Sequence, residues 1–159
     1  MNVISPVPGS FRDPSGHVYR VQDQIFRTVT KRFADQFETV DSRGLIDELA
    51  DRGLVLPTER VSTDILGPTL DDVKYVLRVP TLPFVSLPYE WSFSALKAAA
   101  LLHLKIHLAA LDKGVTLSDA STYNVQFRGL SQSLSIIYLS APTRMERFGS
   151  AIVSFANNS

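Results

Sequence analysis

Asp119 and Asn124 lie five residues apart in Leu117-Ser118-Asp119-Ala120-Ser121-Thr122-Tyr123-Asn124, and they are the pair in this chain whose types and spacing best suit chemistry. A loop that offers a carboxylate and then an amide can supply a base or metal ligand, plus a second metal ligand, for phosphoryl transfer. The same two residues also suit an ordinary turn, with Asp119 capping it and Asn124 holding the loop. Spacing alone leaves both readings open. His103 and His107, four apart on a helical stretch, could place two imidazoles on one metal. The absence of a glutamate next to His103 and the apolar neighbours weigh toward packing. Glu90-Trp91 reads as an anchor, the indole filling a core and the carboxylate opening a helix where the dipole favours it. Arg20 and Arg27 could reach an anionic ligand, although solvated strand charges are the default.

These residues need elements to hold them. Pro6, Pro8, Gly9, Pro14 and Gly16 make residues 1–16 an extended lead-in that stays out of helix and ladder alike. His17 to Val21 and Gln24 to Val29 alternate around the polar break Gln22-Asp23, which predicts a β-hairpin without an Asn-Gly or Asp-Gly turn. Phe33, Phe37 and Val40 then recur at helical spacing. A second helix is expected from an N-cap near Asp41-Ser42, carrying Leu45, Ile46 and Leu49 and ending at Gly53. Leu54-Val55-Leu56 and Val73 to Val79 are strand candidates, the latter the stronger.

Pro80, Pro83 and Pro88 make the next stretch a stiff, extended connector. It leads into a long apolar helix from about Glu90 or Ser92 to Asp112, closed by Gly114. Its expected core residues include Leu96, Ala99, Ala100, Leu104, His107, Leu108 and Leu111. Val125-Gln126-Phe127 follows as a short strand.

At 159 residues, 45% hydrophobic and 20% charged, the chain can bury one real core. Lys+Arg and Asp+Glu both number 16, so the charge balance gives no nucleic-acid footprint and no polybasic membrane tether. No cysteine is present, which excludes disulfides and thiolate metal sites. The opening residues have no signal-peptide pattern. A cytoplasmic protein is expected, with no nucleic-acid or membrane partner. No Gly-x-Gly-x-x-Gly turn exists to hold a dinucleotide.

Asp13-Pro14-Ser15-Gly16, Val18-Tyr19-Arg20, Leu87-Pro88-Tyr89-Glu90-Trp91-Ser92-Phe93-Ser94 and the block from Leu117 to Gly129 together resemble a known family. They are similar to the N-terminal region of large bacterial class I S-adenosylmethionine-dependent methyltransferases, some described as nodulation proteins. The resemblance covers roughly residues 10 to 131. It implies an α+β fold of the protein-kinase-like or aminoglycoside-phosphotransferase-like type, two-lobed and here incomplete. Residues 17–80 would be the small upper lobe, and 81–131 the hinge, long helix and catalytic-loop-like segment. Asp119 and Asn124 would be that loop's catalytic residues. S-adenosylmethionine would be the cofactor of the full-length protein, acting on a small-molecule or protein methyl acceptor; this chain would bind no cofactor and hold no metal.

The text departs from the family in two places. No clear upper-lobe lysine is present for nucleotide phosphates, and no Asp-Phe-Gly-like aspartate follows Gly129. Residues 132–159 do not match the family's Pro-hydrophobic-Phe-Ile-Asp strand, whereas codons read one base earlier from the end of Ser131 permit it. An out-of-frame tail over 132–159 is therefore expected, against the alternative of a genuine C-terminus with a strand at Ser133 to Leu139. The reading is of a methyltransferase-type fragment that keeps only the kinase-like region and is inactive alone. A small-molecule kinase and a non-catalytic binding or scaffolding module are the alternatives.

Overall fold

The structure, a computed structural model, describes residues 4–6, 13–67, 70–82, 84–117, 121–128, 131–134 and 139–140. Strands β1 (Ile4–Pro6), β2 (Val18–Val21), β3 (Gln24–Thr30), β4 (Glu59–Val61) and β5 (Val73–Val79) form one sheet in the order β1-β2-β3-β5-β4. Every neighbouring pair in it is antiparallel. Helices α1 (Ala34–Ser42) and α2 (Leu45–Asp51) are inserted between β3 and β4. After the connector comes α3 (Phe93–Asp112), then β6 (Thr116–Leu117), β7 (Val125–Arg128), β8 (Ser131–Leu134) and β9 (Leu139–Ser140). The last four strands pair as β6 with β9 and β7 with β8, both antiparallel. The whole is an α+β arrangement, in keeping with the fold class that the resemblance implies.

The β2–β3 hairpin turns at Gln22-Asp23, and Gln22 takes a φ of 54°. Two-residue hairpin turns need this left-handed region, which asparagine or glycine usually supplies; here the ladder on both sides imposes it on a glutamine. The lead-in does enter a ladder, contrary to expectation. Ile4, Ser5 and Pro6 lie opposite Val21, Arg20 and Tyr19, and Pro6 is tolerated because β1 is an edge strand. Further along, Ser15 and His17 accept main-chain bonds from Thr30 and Thr28. That approach is close enough that a Cβ on Gly16 would sit 1.8 Å from the Thr28 carbonyl oxygen.

Asp41-Ser42 ends α1 instead of starting α2. The chain turns through Gly44, whose φ of 65° is a glycine conformation, and α2 begins at Leu45. Gly53 closes α2 with a φ of 67°, as its type predicts. Leu54-Val55-Leu56 forms no strand. Val55 and Leu56 are buried, and the amides of Leu54 and Val55 fold back onto the Leu49 carbonyl.

Two cores result. One lies on the sheet, built on Val21, Phe26, Leu66 and Val76. The larger joins α1 and α2 to α3 through Val40, Leu45, Ile46, Leu49, Leu102, Ile106 and Val115, among others. Two polar links fasten the same junction. The Arg43 guanidinium donates to the carbonyls of Lys113 and Gly114, each at 2.6 Å, and Lys113 Nζ lies 3.2 Å from Glu48 Oε2. The Arg43 bonds satisfy carbonyls at the C-cap of α3 and just past it.

Ser92 caps α3, its hydroxyl accepting the Ala95 amide, so the helix starts at Phe93 and not at Glu90. The buried face is Ala99, Leu102, His103, Ile106 and Ala110. Of the expected core residues only Ala99 belongs to it. Leu104 is 53% exposed, Leu96 and Leu108 are also exposed, and His107 is half-buried. The expected face is turned from the real one by about 100°, one residue's rotation on a helix.

Leu102→Ala and Ile106→Ala should each cost about 2–5 kcal/mol, and Leu104→Ala less than about 0.5 kcal/mol. Urea unfolding of the three variants checks this, and a loss at Leu104 as large as at Leu102 would contradict the packing described.

Candidate functional site

The connector carries prolines and forms no ladder of its own, so something else must position it. Gln126 does so. This residue sits on β7 and is buried. Its Oε1 accepts the Ser86 amide at 3.0 Å and its Nε2 donates to the Ser86 carbonyl at 3.2 Å. A side-chain amide thus offers the connector the donor and acceptor that a neighbouring strand would offer.

The Ser86 hydroxyl accepts the indole N–H of Trp91 at 2.9 Å, and Trp91 meets Phe127 edge to face at 4.9 Å. Trp91 is therefore the anchor that its type suggests, partly buried against the larger core. Glu90 has a different role from the one expected. Its Oε2 accepts the Leu87 amide at 2.8 Å and so closes the short turn Pro88–Glu90 ahead of α3.

The loop before β7 ends in a single tight turn, Thr122–Asn124. The Ser121 hydroxyl accepts the Tyr123 amide at 3.3 Å, and the Asn124 amide returns to the Ser121 carbonyl at 3.0 Å. Asn124 is buried. Asp119 lies outside the described residues, so the expected convergence of Asp119 and Asn124 on one ion has no geometry to report. The structure brings Gln126 to the base of the connector at Ser86, beside the Trp91–Phe127 pair, and leaves Asn124 buried at the start of β7. Sequence reasoning misses Gln126 and Ser86. In a strand read as Val-Gln-Phe, a polar middle residue looks like a solvent-facing one; a proline-bound connector lacking ladder partners is the available clue.

His103 is buried on the core face of α3 at 3% exposure, while His107 is half-buried. Among the described residues no group of three or more His, Asp or Glu side chains gathers to hold a metal. Arg20 is exposed. Arg27 is no solvated strand charge: it is buried on β3, and its Nη2 donates to Asp13 Oδ2 at 2.8 Å and to Ser15 Oγ at 2.9 Å. Asp13 in turn accepts the amide and hydroxyl of Ser15. Where the connector leaves β5, a shallow open depression of about 390 Å³ is lined by Pro57, Thr58, Glu59, Arg78, Pro80 and Thr81. The Arg78 guanidinium there is paired with Glu59.

Fold and site together define an α+β domain in which a buried amide fixes a connector between an antiparallel sheet and a long helix. Over 123 residues, 77% of its length, the chain is 42% identical to "Nodulation protein NoeA" of Rhizobium meliloti (strain 1021). Identity at this level over this length supports a nodulation-protein-like family. The matched stretch spans 25% of that protein's length. No family model matches the chain, and neither does any solved structure.

Gln126→Leu leaves the Ser86 amide and carbonyl without partners and should cost about 1–3 kcal/mol. Gln126→Glu keeps the acceptor and should lose less. Unfolding curves give the order, and hydrogen exchange should show the Ser86 amide losing protection in the leucine variant. Unchanged exchange there would remove Gln126 from the role described.

Proposed function

We propose that this chain provides the kinase-like, non-catalytic domain of a methyltransferase-type nodulation protein, and that alone it transfers neither a methyl nor a phosphoryl group. The observation that carries this reading is the topology. A sheet ordered β1-β2-β3-β5-β4 with helices between β3 and β4, then an extended connector, a long helix and two short antiparallel pairs, is the succession that a two-lobed kinase-like domain would have. In that scheme Thr81 to Pro88 is the hinge, and Phe84, Val85 and Ser86 lie at its middle.

Loss of phosphotransfer is supported by the side chains of β3 and α1. Kinases pair a lysine on this strand with a helix glutamate to hold nucleotide phosphates. Here β3 has no lysine, its arginine is held by Asp13, and Glu38 of α1 accepts the Tyr75 hydroxyl. Loss of methyl transfer follows from the absence of a glycine-rich first turn in the sequence and of a doubly wound sheet among the described residues. S-adenosylmethionine and its methyl acceptor would belong to the rest of a longer protein. A binding or scaffolding role is the second reading, favoured by the uncovered apolar face of α3.

The same reading takes residues 132–159 as an out-of-frame tail. The β7–β8 ladder is a main-chain contact, so it fits either frame, and the nucleotide sequence beyond Ser131 decides.

Calorimetry with ligand raised to about 1 mM, the upper end of ordinary enzyme–substrate affinities, should detect neither Mg-ATP nor S-adenosylmethionine on this chain. The longer homologous nodulation protein should bind S-adenosylmethionine. Nucleotide binding by this chain would favour a small-molecule kinase built on Asp119 and Asn124, and S-adenosylmethionine binding by it would overturn the non-catalytic reading.

A further inference from the structure

The face of α3 opposite its core carries Phe93, Leu101, Leu104 and Leu108, exposed by 81, 46, 53 and 62%. At helical spacing these four lie along one side of the helix; Lys97 lies in line with them near one end, Asp112 at the edge of the stripe near the other, and Lys105 at that same edge near the middle, all three exposed. Contiguous apolar surface on a helix marks a place where another surface sits. The placement of the two charges says which surface fits.

We propose that this face pairs with the same face of a second copy, the two α3 helices lying antiparallel about a two-fold axis that passes close to Leu104. In that register Lys97 of each copy stands opposite Asp112 of the other, and Leu101 opposite Leu108, so each contact is made twice. An isologous contact requires a patch that complements itself. With Lys97 toward one end and Asp112 at the other, the stripe meets that requirement best when the helices run in opposite directions; a parallel pair would set Lys97 against Lys97 and Asp112 against Asp112, while Lys105 at the edge lies near its counterpart in either arrangement. The balanced count of 16 basic and 16 acidic residues adds no long-range repulsion between copies.

A membrane surface fits less well. By length and composition α3 could cross a bilayer, yet Ala99, Leu102, Ile106 and Ala110 on its other side are packed into the core. Its only lysines are Lys97 and Lys105, and it has no arginine, short of the clusters of about 4–8 that anionic lipid surfaces select. The helix is about 30 Å long, which places the contact at the small end of specific interfaces and makes the pairing concentration dependent. This inference concerns assembly and does not rest on the methyltransferase-type reading.

Sedimentation equilibrium of the full chain up to about 100 μM, where contacts of micromolar affinity populate, should show a monomer–dimer equilibrium. Leu104→Asp, at a position outside both cores, should weaken it by about tenfold or more while leaving the far-ultraviolet spectrum unchanged. Lys97→Asp and Asp112→Lys should each weaken it by about five- to tenfold, because each sets like charges opposite one another. The double variant, with the charges exchanged, should recover dimerisation. A strictly monomeric chain overturns the proposal, as does a dimer indifferent to Leu104→Asp or a double variant no better than the single ones. A monomer that floats with phosphatidylserine vesicles would assign the face to membrane instead and equally overturn it.

Discussion

The Gln126–Ser86 amide pair is the contact on which the arrangement around the connector depends. A segment punctuated by Pro80, Pro83 and Pro88 is poorly suited to a ladder, because proline lacks the amide hydrogen and restricts its predecessor. Left to itself, such a segment would let α3 take many positions relative to the sheet. One buried glutamine on β7 limits that freedom at the helix end of the connector by bonding both polar groups of Ser86. Through the Ser86 hydroxyl the same point holds the Trp91 indole, and through Trp91 it touches Phe127, the residue after Gln126. Strand, connector and helix entry thus form a short closed circuit. Its neutral groups carry no charge to desolvate, so burial costs far less than it would for an ion pair.

A second constraint acts at the far end of α3. Helices α1 and α2 follow β3 in the chain, yet their apolar faces meet α3 in the larger core. Arg43 closes this junction by donating to two carbonyls past the end of α3. The sheet is therefore tied to the long helix at both ends, by the connector at one and by the helix pair at the other. Between these ties, Asp13-Pro14-Ser15-Gly16 is fixed on β3 by the buried Arg27–Asp13 pair and by the close approach at Gly16. Removing either charge would take a carboxylate–guanidinium pair out of a nearly buried site, a costly change for such a pair.

Much of this is legible in the sequence where local chemistry decides the outcome. Alternation locates the hairpin and β5, and glycine chemistry locates the ends of α2 and α3. Errors arise where an outcome depends on a distant partner. Leu96, Leu101, Leu104 and Leu108 are as apolar as Leu102 and Ile106, so α3 is apolar around most of its circumference and the period gives a helix without giving its phase. The residues facing it from α1, α2 and β7 set that phase. Asp41-Ser42 has the composition of an N-cap, but Gly44 supplies a backbone turn that a capping side chain alone does not. Gln126 is invisible in the sequence because a glutamine's value as a clamp exists only once Ser86 is beside it.

The same distinction bears on the chemistry of the loop. A catalytic amide in phosphoryl transfer must present its oxygen to a metal while a nearby carboxylate shares the load. In the described part of the site the polar groups at the connector are the buried amide of Gln126 and the Ser86 hydroxyl, and the Asn124 amide is buried at the start of β7. Gln126 has both ends of its amide engaged with main chain, so it orders its surroundings without offering a ligand. Arg27 and Arg78, cations of the sheet strands β3 and β5, are each paired with a carboxylate of the same domain. These pairings fix the side chains of Arg27 and Arg78 on their strands. Under the non-catalytic reading we propose, the exposed stripe of α3 would be the surface that such a domain presents.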